Sequence, residues 1–259
     1  MNIVVLVKQV PDTWAERKLS ALDKTLDRES VDAVINEIDE YAVEEALRLK
    51  EAHGGEVTVL TMGPERAVES IRKALSMGVD KAVHLTDPAL HGSCAPQTSL
   101  ALAKALGTLD YDLVICGAEA VDARVSAMGA LLAERLGLPQ LTRARKVTVE
   151  GSTVRIERQT ENGYDVVEAS LPAVISVVEK INDPRYPSFK GIMAAKKKPL
   201  TTLSVADLGL GAADVGLAHA TSEVTDFTAR PPRQAGQLVT DEGDGGVKLA
   251  EYLVGQKII

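Results

Sequence analysis

The chain has 259 residues and a mass of 27.5 kDa, which fits one large domain or one domain with an appended arm. Hydrophobic residues make up 45% of the chain and charged residues 25%, a globular composition that excludes wholesale disorder and collagen-like structure. The formal net charge of -8 and an aromatic content of only 3% argue against a nucleic-acid binder, which needs basic patches or stacking platforms.

The first half of the chain alternates between short apolar runs and segments of helical periodicity. The apolar runs are rich in Val, Ile and Leu, and they predict strands buried on both faces at residues 2–8, 56–61, 81–85 and 112–116. Apolar stripes predict helices over residues 36–53, 64–78, 96–106 and 126–136. At the start of the first helix, Asn36 followed by Asp39 predicts a side-chain cap. Alternating strands and helices predict right-handed βαβ units and a parallel sheet.

After Pro139 the pattern changes to the two-residue alternation of half-solvated antiparallel strands. It covers residues 146–149, 153–157 and 166–169, with turn signals at Gly151 and Asn162-Gly163. Residues 172–178 then predict a buried strand that returns to the sheet. The expected fold is therefore an α/β core with an added antiparallel β-meander.

Periodicity is lost from Lys180 onward, apart from a short closing helix predicted near residues 247–254. We expect one α/β domain over residues 1–200 and an extended arm over residues 201–259. Ordering each residue costs about 1–2 kcal/mol, so an arm with scattered apolar anchors is expected to dock, most simply on a partner chain.

The sequence lacks the motifs of most catalytic and nucleotide-binding sites. No Gly-x-Gly-x-x-Gly follows the first strand, and the phosphate-loop, zinc-peptidase, Cys-x-x-Cys and hydrolase-elbow motifs are missing too. We interpret Cys94 as a small buried residue, although a helix start could lower its pKa, and Cys116 as core. The histidines are interpreted as surface or helix-end residues rather than metal ligands: His53, His84, His91 and His219.

No apolar run approaches the roughly 18 residues of a membrane span. Residues 1–8 lack the basic leader and small-residue cleavage site of a signal peptide. Two cysteines fit neither a disulfide scaffold nor a four-ligand zinc site. We therefore expect a soluble, cytoplasmic protein.

The loop after the fourth strand is a candidate ligand site. It lies at the carboxyl edge of the predicted sheet, where open α/β sheets bind ligands, and it leads into a helix whose first N–H groups suit a phosphate. An ordinary strand-to-helix connection is an equal alternative for this loop alone. The candidate residues are Gly117, Ala118, Glu119, Ala120, Val121, Asp122, Ala123, Arg124, Val125, Ser126, Ala127 and Met128.

Residues 178–198 contain a second candidate, a protruding loop stiffened by Pro184 and Pro187. Phe189 at its tip is one of only two phenylalanines. An aromatic side chain on a rigid exposed loop is suited to anchor a partner. The alternative is a loop that folds back over its own sheet.

This second segment also resembles the signature of electron transfer flavoprotein beta subunits, through Pro-Arg-Tyr at residues 184–186 and Ile-Met-x-Ala-Lys-Lys-Lys at residues 192–198. The resemblance covers nearly the whole chain, and the last residues, 254–259, resemble actinobacterial members. Further similar stretches are residues 7–12, Asn36, 44–46, 63–64, 74–78 and 171–174.

The resemblance implies a Rossmann-like (adenine nucleotide alpha hydrolase-like) fold and a non-catalytic electron carrier. It implies a heterodimer with an alpha subunit that binds the redox-active FAD, and a structural AMP in the beta subunit. Acyl-CoA dehydrogenases of fatty acid β-oxidation, or related flavin dehydrogenases, would donate electrons that pass on toward the respiratory chain. The C-terminal arm would wrap on the alpha subunit.

Site residues follow from the resemblance by position. The implied AMP site comprises Leu6, Asn36, Met62 and the loop of residues 117–128. Thr13 lies where some members place a tyrosine close to the flavin. The residues implied in partner recognition are Pro184, Arg185, Tyr186 and Phe189.

One departure from the family pattern leaves alternatives open. Residues 126–128 are Ser-Ala-Met where members often carry Asn-Gln-Thr, so two side-chain donors are missing, and each lost charge-assisted bond weakens binding by about 1.5–3 kcal/mol. The alternative is an electron-bifurcating beta subunit that holds a second FAD and oxidises NADH. A free-standing nucleotide-binding module would need a Gly/Ser phosphate loop that residues 8–14 do not supply.

Overall fold

The computed structural model describes residues 1–232, 236 and 238–259, in two compact units, Met1–Thr225 and Asp226–Ile259. The first unit contains five α-helices: α1 (Glu37–His53), α2 (Val68–Met77), α3 (Ala95–Leu106), α4 (Met128–Leu136) and α5 (Phe189–Ala195). Its strands are β1 (Asn2–Leu6), β2 (Gln9–Pro11), β3 (Ala33–Ile35), β4 (Glu56–Met62), β5 (Lys81–Leu85), β6 (Leu113–Gly117), β7 (Gln140–Glu150), β8 (Thr153–Thr160), β9 (Gly163–Ser170), β10 (Ala173–Val177) and β11 (Leu200–Leu203). The second unit contains α6 (Gly245–Gly255).

Nine strands form one sheet in the order β11-β5-β4-β1-β6-β10-β7-β8-β9. All pairs from β11 to β7 are parallel, and β7, β8 and β9 pair antiparallel. Strands β2 and β3 form a small separate antiparallel sheet. The structure confirms the predicted Rossmann-like α/β sheet with an added meander, and it places β10 between β6 and β7.

Helices cover both faces of the parallel region because its strands are apolar on both sides. Along β1, Ile3 and Val5 belong to the core layer that includes α1 and α2, whereas Val4 and Leu6 belong to the layer that includes α3 and α4. These four side chains are at most 6% exposed. The continuous apolar runs therefore mark strands sandwiched between two helical layers, as the sequence predicts.

Helix α4 begins at Met128, two residues later than the predicted start at Ser126. Arg124 and Ser126 have φ values of 50° and 56°, in the left-handed region that an α-helix cannot include. The loop of residues 117–128 therefore keeps an irregular backbone up to the first helical residue.

The chain forms α5 and β11 after Lys180, where the sequence predicted no periodic element. Both are short, and α5 buries only Ala195, so neither produces a recognisable apolar period. β11 pairs with β5, and the first unit continues to Thr225 rather than to residue 200. Val205, Leu208 and Val215 join the core layer of α3 and α4. Docking of the remaining C-terminal segment on another chain stays a prediction.

Two of the interpretations made for single residues need correction. His84 is 3% exposed within β5, and its Nε2 lies 3.1 Å from the Gly63 carbonyl oxygen, so it is neither a surface nor a helix-end residue. Cys94 is only half-buried, with its Sγ 3.4 Å from the Thr221 hydroxyl. Burial opposes ionisation of Cys94, yet its hydrogen bonds prevail and lower the thiol pKa. Cys116 lies in the core as expected, and burial raises its pKa to about 12.

Truncation of a buried side chain on β6 tests this core. Ile115 on β6 is fully buried, so Ile115→Ala leaves a cavity and is expected to lower the free energy of unfolding by about 2–5 kcal/mol. Val166→Ala on β9, where the side chain is 60% exposed, is the matched control and is expected to change it by less than about 0.5 kcal/mol. Urea unfolding followed by circular dichroism measures both, and equal losses would contradict the layered core.

Candidate functional site

The carboxyl ends of β1 and β6 lie side by side at the point where the order of the sheet reverses. From β1 the chain builds β4 and β5 on one side, and it then returns to place β6 on the other. Ligands of open α/β sheets bind at such a switch point. The loop of residues 117–128 starts here, because Gly117 is the last residue of β6.

Asn36 connects this loop to the start of α1. Its amide nitrogen donates to the Glu119 carbonyl oxygen at 3.0 Å, and its amide oxygen accepts from the Val121 backbone N–H at 3.1 Å. The residue is fully buried and makes no side-chain cap on α1. The predicted cap is therefore wrong, because both polar groups of Asn36 bind the loop, which joins two parts of the candidate site.

Asp39 occupies the space between the two strand ends. The Lys8 backbone N–H donates to its Oδ2 at 2.8 Å. A β-carbon on Gly117 would lie 2.4 Å from Asp39 Oδ1, so only glycine allows this approach. Burial raises the pKa of Asp39 to about 7, against the opposing effect of its hydrogen bonds. The sequence showed Asp39 only as an acid in a first helical turn, a signal that does not distinguish it from a capping acid.

The second half of the loop is exposed and leads to an uncapped helix. Residues 123–126 are exposed, and the Ser126 hydroxyl donates to Glu119 Oε2 at 2.9 Å. Ala127 at the N-cap position has a side chain that cannot accept a hydrogen bond, so it does not compete for the first N–H groups of α4. Positive φ angles such as those of Arg124 and Ser126 occur in anion-binding backbone turns. These features fit a phosphate group.

Asp122 at the centre of the loop is an internal ion-pair residue. Its side chain is 0% exposed, and its Oδ2 lies 2.8 Å from Lys8 Nζ and 2.7 Å from Arg28 Nη2. Burial would raise its pKa, but these two cations outweigh that effect and hold it below the usual value. The two cations thus compensate the carboxylate that lies closest to the middle of the loop.

The remaining residues of the implied nucleotide site differ in exposure. Leu6 at the end of β1 is buried, and Met62 at the end of β4 packs half-buried against the same core layer. Thr13 is exposed beside Trp14, whose side chain is 96% exposed. The structure brings Leu6 and Met62 to the carboxyl edge of the sheet with Asn36.

The second candidate region presents apolar side chains on a fixed helix. Phe189 begins α5 and is 82% exposed, and Tyr186 just before it is 97% exposed. Ile192 and Met193, about half exposed, lie three and four residues after Phe189 and therefore share its helix face. Sequence reasoning missed both, because a seven-residue helix gave no periodic signal.

Arg185 points toward the protein rather than toward solvent. Its Nε and Nη2 contact Glu44 at 2.7 and 2.9 Å, and its Nη1 contacts Glu51 at 2.5 Å, both on α1. These carboxylates raise the pKa of the guanidinium further. Of the four residues implied in recognition, Tyr186 and Phe189 are exposed, whereas Arg185 and Pro184 are half-buried.

Among residues 1–232, 236 and 238–259, no helix combines the length and hydropathy that crossing a membrane requires. The same part of the chain brings no three His, Cys, Asp or Glu side chains together as a metal site.

The fold and the switch-point loop define an α/β protein of the Rossmann-like class, and comparison with known proteins identifies the family. The family model for the electron transfer flavoprotein domain matches residues 23–208. The chain is 59% identical to electron transfer flavoprotein subunit beta of Mycobacterium tuberculosis, over 100% of this chain and 99% of that protein. It is 58% identical over the same shares to the protein of that name from Mycobacterium leprae. The caffeyl-CoA reductase-Etf complex subunit CarD of Acetobacterium woodii is 37% identical, over 93% of this chain and 92% of that protein.

The chain therefore belongs to the family of electron transfer flavoprotein beta subunits. Membership makes it an electron-transfer subunit, a carrier rather than a catalytic enzyme, and it implies association with flavin and with an alpha subunit in a heterodimer.

The raised pKa of Asp39 predicts a pH-dependent stability. The folded-state pKa of about 7 lies above the ordinary 3.8, so the folded protein holds this proton more tightly, and the resulting stability is lost as pH rises from about 4 through 7. Asparagine cannot ionise, so Asp39→Asn is expected to gain melting temperature relative to the wild type across this range and to show no further gain above it. Melting curves of both heterodimers from pH 4.5 to 8.5 measure the difference, and a pH-independent difference would contradict the prediction.

Proposed function

We propose that this subunit captures flavin dehydrogenases, such as acyl-CoA dehydrogenases, so that electrons enter the FAD of the alpha subunit and pass on toward the respiratory chain in the cytoplasm. The observation that carries the proposal is the exposed apolar face of α5, formed by Phe189, Ile192 and Met193 with the neighbouring Tyr186. Large aromatic anchors of this kind dominate the energetics of protein interfaces.

The contacts of α5 support this role because they hold the helix in place before any partner arrives. Ser188 caps the helix by accepting from the Gly191 N–H at 3.0 Å. Arg72 of α2 donates to the Ala195 carbonyl oxygen at 2.6 Å. A β-carbon on Gly191 would lie 2.4 Å from the Ser76 carbonyl oxygen, so α5 rests directly on α2. A rigid anchor loses little conformational entropy on docking.

Arg185 fits the role of a positioning residue in this surface. Its contacts with Glu44 and Glu51 fasten the segment before α5 to α1, and Asn182 adds a hydrogen bond of 2.9 Å to Glu45 Oε2. Lys190 within α5 and the lysines at 196 and 197 just after it are exposed, so they add positive charge close in sequence to the apolar face. A partner with an acidic rim would therefore be steered toward it.

The nucleotide proposed for this subunit is AMP, held at the switch point by Leu6, Asn36, Met62 and the loop of residues 117–128. Backbone N–H groups at the start of α4 would bind the phosphate, and the Ser126 hydroxyl would join them on leaving Glu119 Oε2, to which it donates in the structure. AMP has no redox chemistry and would act as a structural part of the subunit. The FAD would belong mainly to the alpha subunit, with Thr13 on the side facing it.

A second candidate function is a beta subunit of an electron-bifurcating complex that holds a second FAD at the same place and oxidises NADH. Residues 126–128 are Ser-Ala-Met and offer a single side-chain hydroxyl as a donor, so the side chains at this end of the loop do not favour AMP over FAD. This candidate is also supported by the similarity of the chain to CarD, which is a subunit of a caffeyl-CoA reductase-Etf complex.

For the C-terminal arm, the proposal is docking on the alpha subunit. Helix α6 has no buried residue, and its Val247, Leu249, Tyr252 and Val254 are all more than half exposed. Such a helix needs an apolar partner surface. The arm expected from residue 201 would then begin after Thr225, where the first compact unit ends.

Removal of the anchor tests the docking surface. Phe189→Ala is expected to lower the second-order rate constant for reduction of the heterodimer by a substrate-loaded acyl-CoA dehydrogenase by about thirtyfold or more, because hot-spot aromatics contribute at least about 2 kcal/mol. Tyr164→Ala, on the half-exposed surface of β9, is the matched control and is expected to leave the rate unchanged. Stopped-flow flavin absorbance measures the rates, and an unaltered rate in Phe189→Ala would refute the anchor role.

The ligand content of the native complex distinguishes the two candidate functions. Native mass spectrometry of the heterodimer from its own cell lysate is expected to show one FAD and one AMP. Two FAD molecules would instead support the bifurcating type. A single chain or homodimer that binds ATP would contradict both.

A further inference from the structure

We propose that Asp122 is a positioning residue that couples the loop of residues 117–128 to residues 12–32, so that a ligand bound by the loop orders the surface that carries Trp14. Residues 12–32, which connect β2 to β3, are called the excursion below. The coupling to a ligand rests on the nucleotide-binding role proposed above.

A single buried carboxylate holds two cations from distant parts of the chain. Lys8 follows β1, Arg28 belongs to the excursion, and Asp122 lies in the loop. The Asp122 side chain is fully buried, with distances of 2.8 Å to Lys8 Nζ and 2.7 Å to Arg28 Nη2. The carboxylate is buried, whereas the Lys8 and Arg28 side chains are 39% and 36% exposed. Loss of either cation leaves the buried charge with one partner, which favours the arrangement in which both cations bind.

The excursion depends on polar contacts because it has no core of its own. None of the residues 12–32, all within the described part of the chain, is buried. Its ends are joined by the hydrogen bond from Asp12 N to the Asp32 carbonyl oxygen, and its tip contacts His91 through Asp23 at 2.7 Å. Segments with little buried apolar area have low local stability, so the contacts of Arg28 matter for their order.

Arg28 contacts two segments at the carboxyl edge of the sheet. Its guanidinium binds Asp122, and its carbonyl oxygen accepts from Arg66 Nη1 at 2.9 Å. Arg66 follows β4 and also donates to the Val31 carbonyl oxygen at 3.3 Å. The excursion is thus fastened beside the ends of the strands that form the candidate site.

Lys8 connects the Asp122 cluster to Asn36 and Asp39 at the start of α1. Its backbone N–H binds Asp39, its carbonyl oxygen accepts from the Asn36 N–H at 2.8 Å, and its ammonium binds Asp122. A ligand that fixes the loop therefore fixes Asp122, and through Asp122 the position of Arg28. On the excursion, Trp14 and Leu22 are 96% and 93% exposed, so its order decides how these apolar side chains are presented.

Hydrogen exchange of the purified heterodimer, measured by mass spectrometry after nucleotide removal and again with added AMP, tests the coupling. In the wild type, AMP is expected to slow exchange in both segments. Asp122→Asn leaves Lys8 and Arg28 to repel each other, so exchange in residues 12–32 is expected to rise roughly tenfold without ligand. With AMP, this variant is expected to protect residues 117–128 but no longer residues 12–32.

Two further variants separate coupling from a general loss of stability. Asp80→Asn removes another ion pair of similar length, in which Asp80 Oδ1 lies 2.6 Å from Lys50 Nζ and the Asp80 side chain is 30% exposed. It is expected to behave as the wild type in both segments. Arg28→Met is expected to reproduce the faster exchange of residues 12–32 while the loop keeps its response to AMP. Arg28→Met also tests the coupling if the Asp122→Asn heterodimer fails to assemble.

Unchanged exchange of residues 12–32 in Asp122→Asn and Arg28→Met, with and without AMP, would overturn the proposal. If AMP fails to protect residues 117–128 in the wild type, the nucleotide assignment is wrong. In that case the comparison without ligand still decides whether Asp122 positions the excursion.

Discussion

The site depends on the close approach of α1 to the end of β6, which is possible only because Gly117 has no side chain. Asp39 and Asn36 at the start of α1 reach across the switch point, one to the Lys8 backbone and the other to the loop after Gly117. A β-carbon at residue 117 would collide with Asp39 at 2.4 Å and approach Ile38 at 3.0 Å. The geometry of the edge where β1 and β6 end is therefore set by packing as well as by topology.

The two proposed functional surfaces are both held by helix α1. The start of α1 holds the candidate nucleotide loop through Asn36, and further along α1 Glu44 and Glu51 hold Arg185 beside the exposed face of α5. A single rigid element thus positions both the proposed ligand site and the proposed docking surface. This arrangement suits a carrier subunit, whose task is to place partners rather than to transform a substrate.

The sequence predicted the parallel sheet because β1, β4, β5 and β6 are continuous apolar runs, and it located the loop of residues 117–128 because strand ends at one sheet edge follow from that topology. The resemblance implied Asn36 in the nucleotide site, but the sequence pattern could not predict its hydrogen bonds to the loop, since the same residue in the same place is typical of a helix cap. Nor could it predict the Asp122 cluster, whose members are joined only by the fold. The sequence did not predict α5 and β11, because elements this short contain too few residues to show a helical or strand periodicity of apolar side chains.

The most direct test of the central claim is the affinity of the nucleotide-depleted heterodimer for AMP, measured by calorimetric titration in the wild type and in Gly117→Ala. The account predicts at least about tenfold weaker binding in the variant, because the added methyl group displaces Asp39 and with it the start of α1. Equal affinity in the two proteins would show that the contact between α1 and Gly117 does not shape the nucleotide site, and would contradict the account.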